Sequence, residues 1–231
     1  MKLAVIPARG GSKRIHKKNI KEFCGKPIIA WSIEAAIESR CFDRIVVSTD
    51  DEEIAEVAKK YGAEVPFIRP PELSDDYTGT SSVVKHAIKW FETKNLYFEQ
   101  ICCIYATAPF ITANEIRKGL EILIKTNNEY AISVTSFPYP IQRAMRIKDN
   151  NLEMIVPKNA MTRSQDLEET YHDAGQFYWG LPIVWESDKP LFSHKICPIP
   201  LPRYRVQDID TLEDWIRAEF MFESIQKMKK E

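Results

Sequence analysis

Short runs of β-branched and other apolar residues alternate with amphipathic stretches through the first 136 positions. That rhythm predicts parallel strands joined by crossover helices. The strand candidates are 3–6, 44–48, 64–68, 100–105 and 131–135, and between them 28–39, 52–61, 81–93 and 113–126 carry apolar residues at helical spacing. The pattern is that of a doubly wound, mostly parallel α/β sheet with helices on both faces. In such sheets ligands bind beyond the carboxyl ends of the strands, so the segments after Ile6, Ser48, Ile68, Tyr105 and Thr135 are where chemistry is expected.

From 137 to 176 the rhythm breaks. Pro138 and Pro140 lie close together, a hairpin is expected around Asp149-Asn150-Asn151, and a polar stretch follows from Arg163 to Thr170. This reads as an inserted lobe within one domain spanning 1–231. Strand character returns at 177–179 and 195–199, and 212–228 reads as a final helix, with Thr211 as N-cap and Asp214 completing a near capping box. Trp31, Trp90, Trp185 and Trp215 fall in helical patterns and read as core or cap contacts. Lys227, Lys229 and Lys230 read as a solvated basic terminus.

Charge changes this picture only locally. The 32 basic and 33 acidic residues leave a net charge of -1, so no overall field recruits nucleic acid or an anionic membrane. No apolar run has the length of a transmembrane helix, and Pro7, Arg9 and Lys13 interrupt the first apolar run too soon for a secretory pattern. The five cysteines lack CxxC or Cys/His spacing and read as reduced thiols, which makes a cytoplasmic protein the expectation.

Two segments carry candidate chemistry. After the first strand come Pro7-Ala8-Arg9-Gly10-Gly11-Ser12-Lys13-Arg14 and then Lys17, Lys18 and Asn19. Paired glycines let backbone N–H groups approach an anion, while Arg9 and Lys13 supply a fork and a point charge for neighbouring phosphates. The GxxxxGK[ST] and GxGxxG spacings are both absent, so this is neither a Walker A loop nor a dinucleotide fingerprint. The alternative is a solvated basic turn, against which stand the position at a strand end and the five cations between Arg9 and Lys18. The second segment is Asp208-Ile209-Asp210. In an extended chain alternate residues share a side, so the two carboxylates can converge on Mg²⁺ while Ile209 turns to the core; they can equally cap the helix that follows. Ser12, Ser48 and Ser164 lack a GxSxG elbow, leaving a serine hydrolase without an anchor.

The IPARGGSKR opening with Lys18-Asn19, the STDDEEIAEVAKKYGAEV segment, Arg69-Pro70-Pro71-Glu72-Leu73 and the QDIDTLEDW stretch together resemble the CMP-sialic acid synthetase family, essentially end to end. The IYATAPF, SVTSFPYPIQRA, TRSQDLEETYHDAGQFYWG and LPRYRVQDIDT stretches are most similar to its pseudaminic acid branch. The resemblance implies a CTP-dependent nucleotidyltransferase of glycosyltransferase-A-like fold that joins CMP to an acidic nine-carbon sugar, with homodimers common among relatives. It implies nucleotide contacts from Ala8, Arg9, Gly10, Gly11, Ser12, Lys13, Asn19, Arg69 and Thr80, catalytic roles for Arg9, Lys13 and Lys18, and Mg²⁺ on Asp208 and Asp210. Where sialic acid synthetases carry Gln in QPTSP, this chain has Tyr105 in YATAP, which argues against N-acetylneuraminic acid itself. The inserted lobe is the expected site of sugar binding and dimerisation. Arg143 and Arg163 are the candidates for the sugar carboxylate, and Gln142, Tyr171, His172, Asp173 and Gln176 are candidates for its hydroxyl and N-acyl groups. Cytidylyltransferases for legionaminic, N-acetylneuraminic or 3-deoxy-manno-octulosonic acid, a glycosyltransferase, and a non-catalytic nucleotide-sugar sensor are the competing readings.

Overall fold

The computed structural model describes residues 1–228. Lys229 and Lys230 lie outside the described residues. The chain opens with β1 (Lys2–Pro7), a basic loop and a small hairpin of β2 (Glu22–Phe23) and β3 (Lys26–Pro27), followed by α1 (Ile28–Ser39), β4 (Arg44–Ser48) and α2 (Glu52–Lys60). Next come α3 (Thr80–Glu92), β5 (Gln100–Ile104), α4 (Ala113–Thr126) and β6 (Tyr130–Ser136). The remainder comprises the β7 (Met145–Lys148) and β8 (Asn151–Met154) hairpin, β9 (Tyr171–Gly180), the single turn α5 (Pro182–Trp185), β10 (Ile196–Pro200) and α6 (Leu212–Met228).

The central sheet runs β10-β6-β9-β5-β1-β4. All neighbours are parallel except β9, which inserts antiparallel between β5 and β6. Its side chains alternate between two cores, as the pleat requires. Ala4, Ile6, Cys102, Ile104 and Ala131 face the helices α1 and α4, while Leu3, Val5, Ile101, Cys103 and Ile132 face α3 and α5. A third cluster fastens α6 to the N-terminal half: Trp215 and Phe222 pack on Phe23, and Ile15 and Ile209 close the cluster. Trp185 and Trp215 are buried and serve as core. Burial holds the thiols of Cys102 and Cys103 far above their ordinary pKa, so they are protonated, inert packing groups.

The strand expected at 64–68 does not form. Glu64 makes one bridge to Val46, and the ladder stops there because Pro66 has no N–H to donate. The strand expected at 177–179 is longer and starts at Tyr171. The hairpin turn at Asp149 and Asn150 has φ of 50° and 60°, the left-handed pair that a two-residue turn demands. Thr211 caps α6 reciprocally with Asp214. Among the described residues no helix is long and apolar enough to cross a membrane.

Candidate active site

The loop after β1 is seated on the segment after β4. Ala8 N–H donates to the Ser48 carbonyl at 2.9 Å and Gly10 N–H to Asp50 Oδ1 at 3.0 Å. Position 10 has no room for a side chain, because a Cβ there would lie 2.5 Å from the Asp51 carboxylate. Asp51 is itself fixed as the N-cap of α2, accepting from Ile54 N–H at 3.0 Å. Asn19 is buried and ties the far side of the loop down by donating to the Arg9 carbonyl at 2.9 Å. Gly11 faces open space and Ser12 is half-buried.

This loop forms one wall of a cavity of about 510 Å³ that Arg9, Ser12, Lys13, Lys18, Asn19, Arg69, Thr80 and Tyr105 line. Its electrostatics suit a polyanion. Arg9 pairs with Asp76 at 2.6 Å, and Lys13 reaches the other oxygen of the same carboxylate. These bonds to two cations hold the Asp76 carboxyl below its usual range. Arg69 is 4% exposed, and among the described residues its Nε and Nη2 find no acceptor within hydrogen-bonding distance; Asp50 stands 3.6 Å away. Burial lowers the Arg69 pKa, and Asp50 opposes that shift. A buried guanidinium with unmatched donors is an unusual arrangement that a ligand's oxygens would complete.

A second cavity of about 560 Å³ adjoins the first at Tyr105, which lines both. Tyr105 approaches Thr80 across the first cavity at 3.4 Å, and its ring lies 5.4 Å from that of Tyr178. Tyr178 donates to Asp173 Oδ2 at 2.7 Å, while Gly175 N–H donates to Oδ1 at 2.8 Å. Burial raises both tyrosine pKa values, so the phenols stay protonated donors. His172, Asp173, Arg203, Asp208 and Arg217 are the charged or titratable side chains of this second wall, with Thr135 and Ser136. The His172 Nδ1–H donates to the Asp173 carbonyl at 2.8 Å, which fixes the tautomer.

Asp208 lines the second cavity just before α6, and Asp210 reaches Arg14 and Lys18 of the first cavity's wall. Ile209 between them is buried in the third cluster, so the neighbouring carboxylates face away from the core. Asp210 accepts from Arg14 at 2.9 Å and from Lys18 at 3.4 Å, and Lys18 also donates to the Ile209 carbonyl at 2.7 Å. Asp208 is open to the cleft, yet desolvation by the surrounding protein, with Asp210 beside it, raises its carboxyl pKa. Two hard-oxygen carboxylates two residues apart, Asp208 on a cavity wall and Asp210 among the loop cations, fit Mg²⁺. Among the described residues no group of three His, Cys, Asp or Glu side chains is assembled to hold a metal. A cation on this pair would therefore draw its remaining ligands from substrate phosphates and water.

The other expected sugar residues are not brought into this cavity. Arg143 lies on the exposed lobe and donates to Ser164 at 3.4 Å; Arg163 pairs with Asp166 at 2.7 Å. Gln142 is spent on the Glu168 carbonyl and Tyr171 on Glu169. Gln176 is buried and holds the Arg205 carbonyl at 2.6 Å, which makes it a brace for the 203–210 segment. The sequence reading missed Asp50, Asp76, Tyr178, Arg203 and Arg217. Of these, Asp50 had a signal in its place at the carboxyl end of β4.

A description of the cytidylyltransferase family matches residues 3–230. The chain belongs to the cytidylyltransferase family. As a member of it, the protein is a CTP-dependent nucleotidyltransferase. It is 46% identical over 221 residues to the pseudaminic acid cytidylyltransferase of Campylobacter jejuni, covering 95% of both chains. It is 34% identical over 229 residues to the CMP-N,N'-diacetyllegionaminic acid synthase of Legionella pneumophila, covering 96% of both. Among solved structures it superposes on a CMP:2-keto-3-deoxy-manno-octonic acid synthetase in complex with CTP, with a TM-score of 0.72 at 14% identity, covering 96% of this chain and 98% of the other. That last likeness is one of fold.

Proposed function

We propose that this enzyme converts CTP and pseudaminic acid into CMP-pseudaminic acid and pyrophosphate. The observation that carries the reading is the pair of cavities meeting at Tyr105, one walled mainly by cations and the other by hydroxyl, phenol, carboxylate and guanidinium groups, in a chain 46% identical to a pseudaminic acid cytidylyltransferase. CTP occupies the first cavity and the sugar the second. The anomeric hydroxyl attacks the α-phosphorus, an O–P bond forms, and the bond to the β-phosphate oxygen breaks in line. The hydroxyl proton is released to solvent, and pyrophosphate leaves. Catalysis is mainly positioning and charge neutralisation. Arg9, Lys13 and Lys18 take the charge of the departing pyrophosphate, and Arg69 offers the nucleotide the N–H donors of its unmatched Nε and Nη2. Asp208 and Asp210 would hold Mg²⁺, which when bound neutralises phosphate oxygens and lowers the pKa of a neighbouring hydroxyl.

The protein works in the cytoplasm as a homodimer whose lobe of residues 137–176 contributes to the subunit contact. Its product serves bacterial surface glycosylation, including that of flagellin. Pyrophosphate release from CTP with pseudaminic acid and Mg²⁺ tests the reaction. Asp210→Ala abolishes turnover while leaving the thermal midpoint within a few degrees; near-normal activity in that variant would remove the carboxylate pair from the mechanism.

A further inference from the structure

We propose that Arg203 and Arg217 clamp the carboxylate of the sugar, an assignment that rests on reading the second cavity as the sugar site. In an acidic 2-keto sugar the carboxylate is bonded to the anomeric carbon, the carbon that also bears the attacking hydroxyl. Its protein partner must therefore line the cavity where that hydroxyl meets the α-phosphate, beside Asp208. Arg143 and Arg163 do not meet this condition, since Arg143 reaches Ser164 on the exposed lobe and Arg163 is engaged with Asp166.

Arg203 and Arg217 do meet it. They enter the 560 Å³ cavity from two elements flanking Asp208: the turn after β10 and the second turn of α6. Both guanidinium groups lack a paired counter-charge among the described residues. Whereas Arg205 is held bidentately by Glu115, neither Arg203 nor Arg217 makes an ion pair among the described residues, and Arg203 gives one long bond of 3.4 Å to the Phe137 carbonyl. The same wall carries Asp173 and Asp208, which repel a carboxylate, so an anionic sugar can settle there only against local cations. A guanidinium fork matches a carboxylate in geometry as well as charge.

The test varies the sugar acid at saturating CTP in the intact enzyme and in Arg217→Gln, Arg203→Gln and the double variant. Each side chain is exposed, so folding is retained, and thermal midpoints verify this. Each single change raises the KM for the sugar by about 10- to 100-fold, the range of a lost charge-assisted hydrogen bond. The KM for CTP stays within about twofold, a margin well below the cost of losing a hydrogen bond. Arg217→Lys recovers part of the loss because it keeps the charge without the fork. The double variant also loses its preference for the sugar acid over the corresponding carboxamide. If the double variant keeps the sugar KM and the acid preference of the parent, the clamp is wrong while the reaction stands. If the parent enzyme turns over no acidic sugar, the proposed reaction falls and the clamp falls with it.

Discussion

Arg205 and Glu115 fix the segment that leads into the Asp208/Asp210 pair proposed to hold Mg²⁺. Arg205 donates to the two Glu115 oxygens at 2.7 Å each and to the Phe110 carbonyl at 2.7 Å, and the two side chains are 17% and 12% exposed. Glu115 is also the third residue of α4 in a capping box with Thr112. Glu115→Gln keeps the capping geometry, since Gln serves at that position as well as Glu, but leaves a sheltered guanidinium without its counter-charge. Removing one partner of a buried pair costs about 3–5 kcal/mol. The residual exposure here puts the cost near the lower bound, about 3 kcal/mol. An unfolding entropy of about 2.1 cal/mol/K per residue, over 231 residues, makes this a fall of about 6 °C in the thermal midpoint. Differential scanning calorimetry measures that fall. Because the brace holds residues 203–210, kcat drops as well while the KM for CTP is nearly preserved. A midpoint within 1 °C of the parent, with kcat unchanged, would refute the claim that this pair positions the aspartates.

Asp76→Asn frees Arg9 and Lys13 for the triphosphate, and steady-state kinetics should give a KM for CTP about 2- to 30-fold lower, the sum expected of two exposed ion pairs; an unchanged or higher KM would show that Asp76 does not hold these cations back from the nucleotide. The raised pKa of Asp208 means that its charged form is disfavoured in the folded state. Its carboxyl therefore favours folding below the ordinary value of 3.8, and that contribution is lost as pH rises through the folded pKa. Asp208→Asn accordingly raises the thermal midpoint at pH 7, gives no gain below pH 3.8, and removes activity; a lower midpoint at pH 7 in thermal melts would count against this. Gly10→Ala forces a Cβ against the Asp51 carboxylate and displaces the loop, so equilibrium binding of CTP weakens more than ten-fold, the cost of misaligned phosphate contacts; retained affinity would show that the loop can shift.

The parallel frame was legible because buried strands and their crossover helices carry distinct periodicities: α1, α4 and α6 begin and end at their expected residues. The 64–68 stretch looked like a strand from composition, but a single proline outweighed its apolar character. The loop after β1 was legible as a cation-rich cavity wall from its glycines, cations and place at a strand end. The second cavity's wall was not, because Arg203 and Arg217 come from separate elements and carry no spacing that marks them as a pair. Arg143 and Arg163 stood out by lying in the irregular stretch, yet Arg163 finds its counter-charge three residues away. Gln176 shows the same limit: its polarity suggested a ligand contact, while burial against the Arg205 carbonyl makes it a brace.

The most direct test supplies the purified protein with CTP, Mg²⁺ and, one at a time, pseudaminic, legionaminic, N-acetylneuraminic and 3-deoxy-manno-octulosonic acids, and follows pyrophosphate release and the mass of the nucleotide product. The account predicts rapid formation of CMP-pseudaminic acid, with the other sugars far slower. A CMP conjugate formed preferentially with another of these acids, or no conjugate with any, would contradict it.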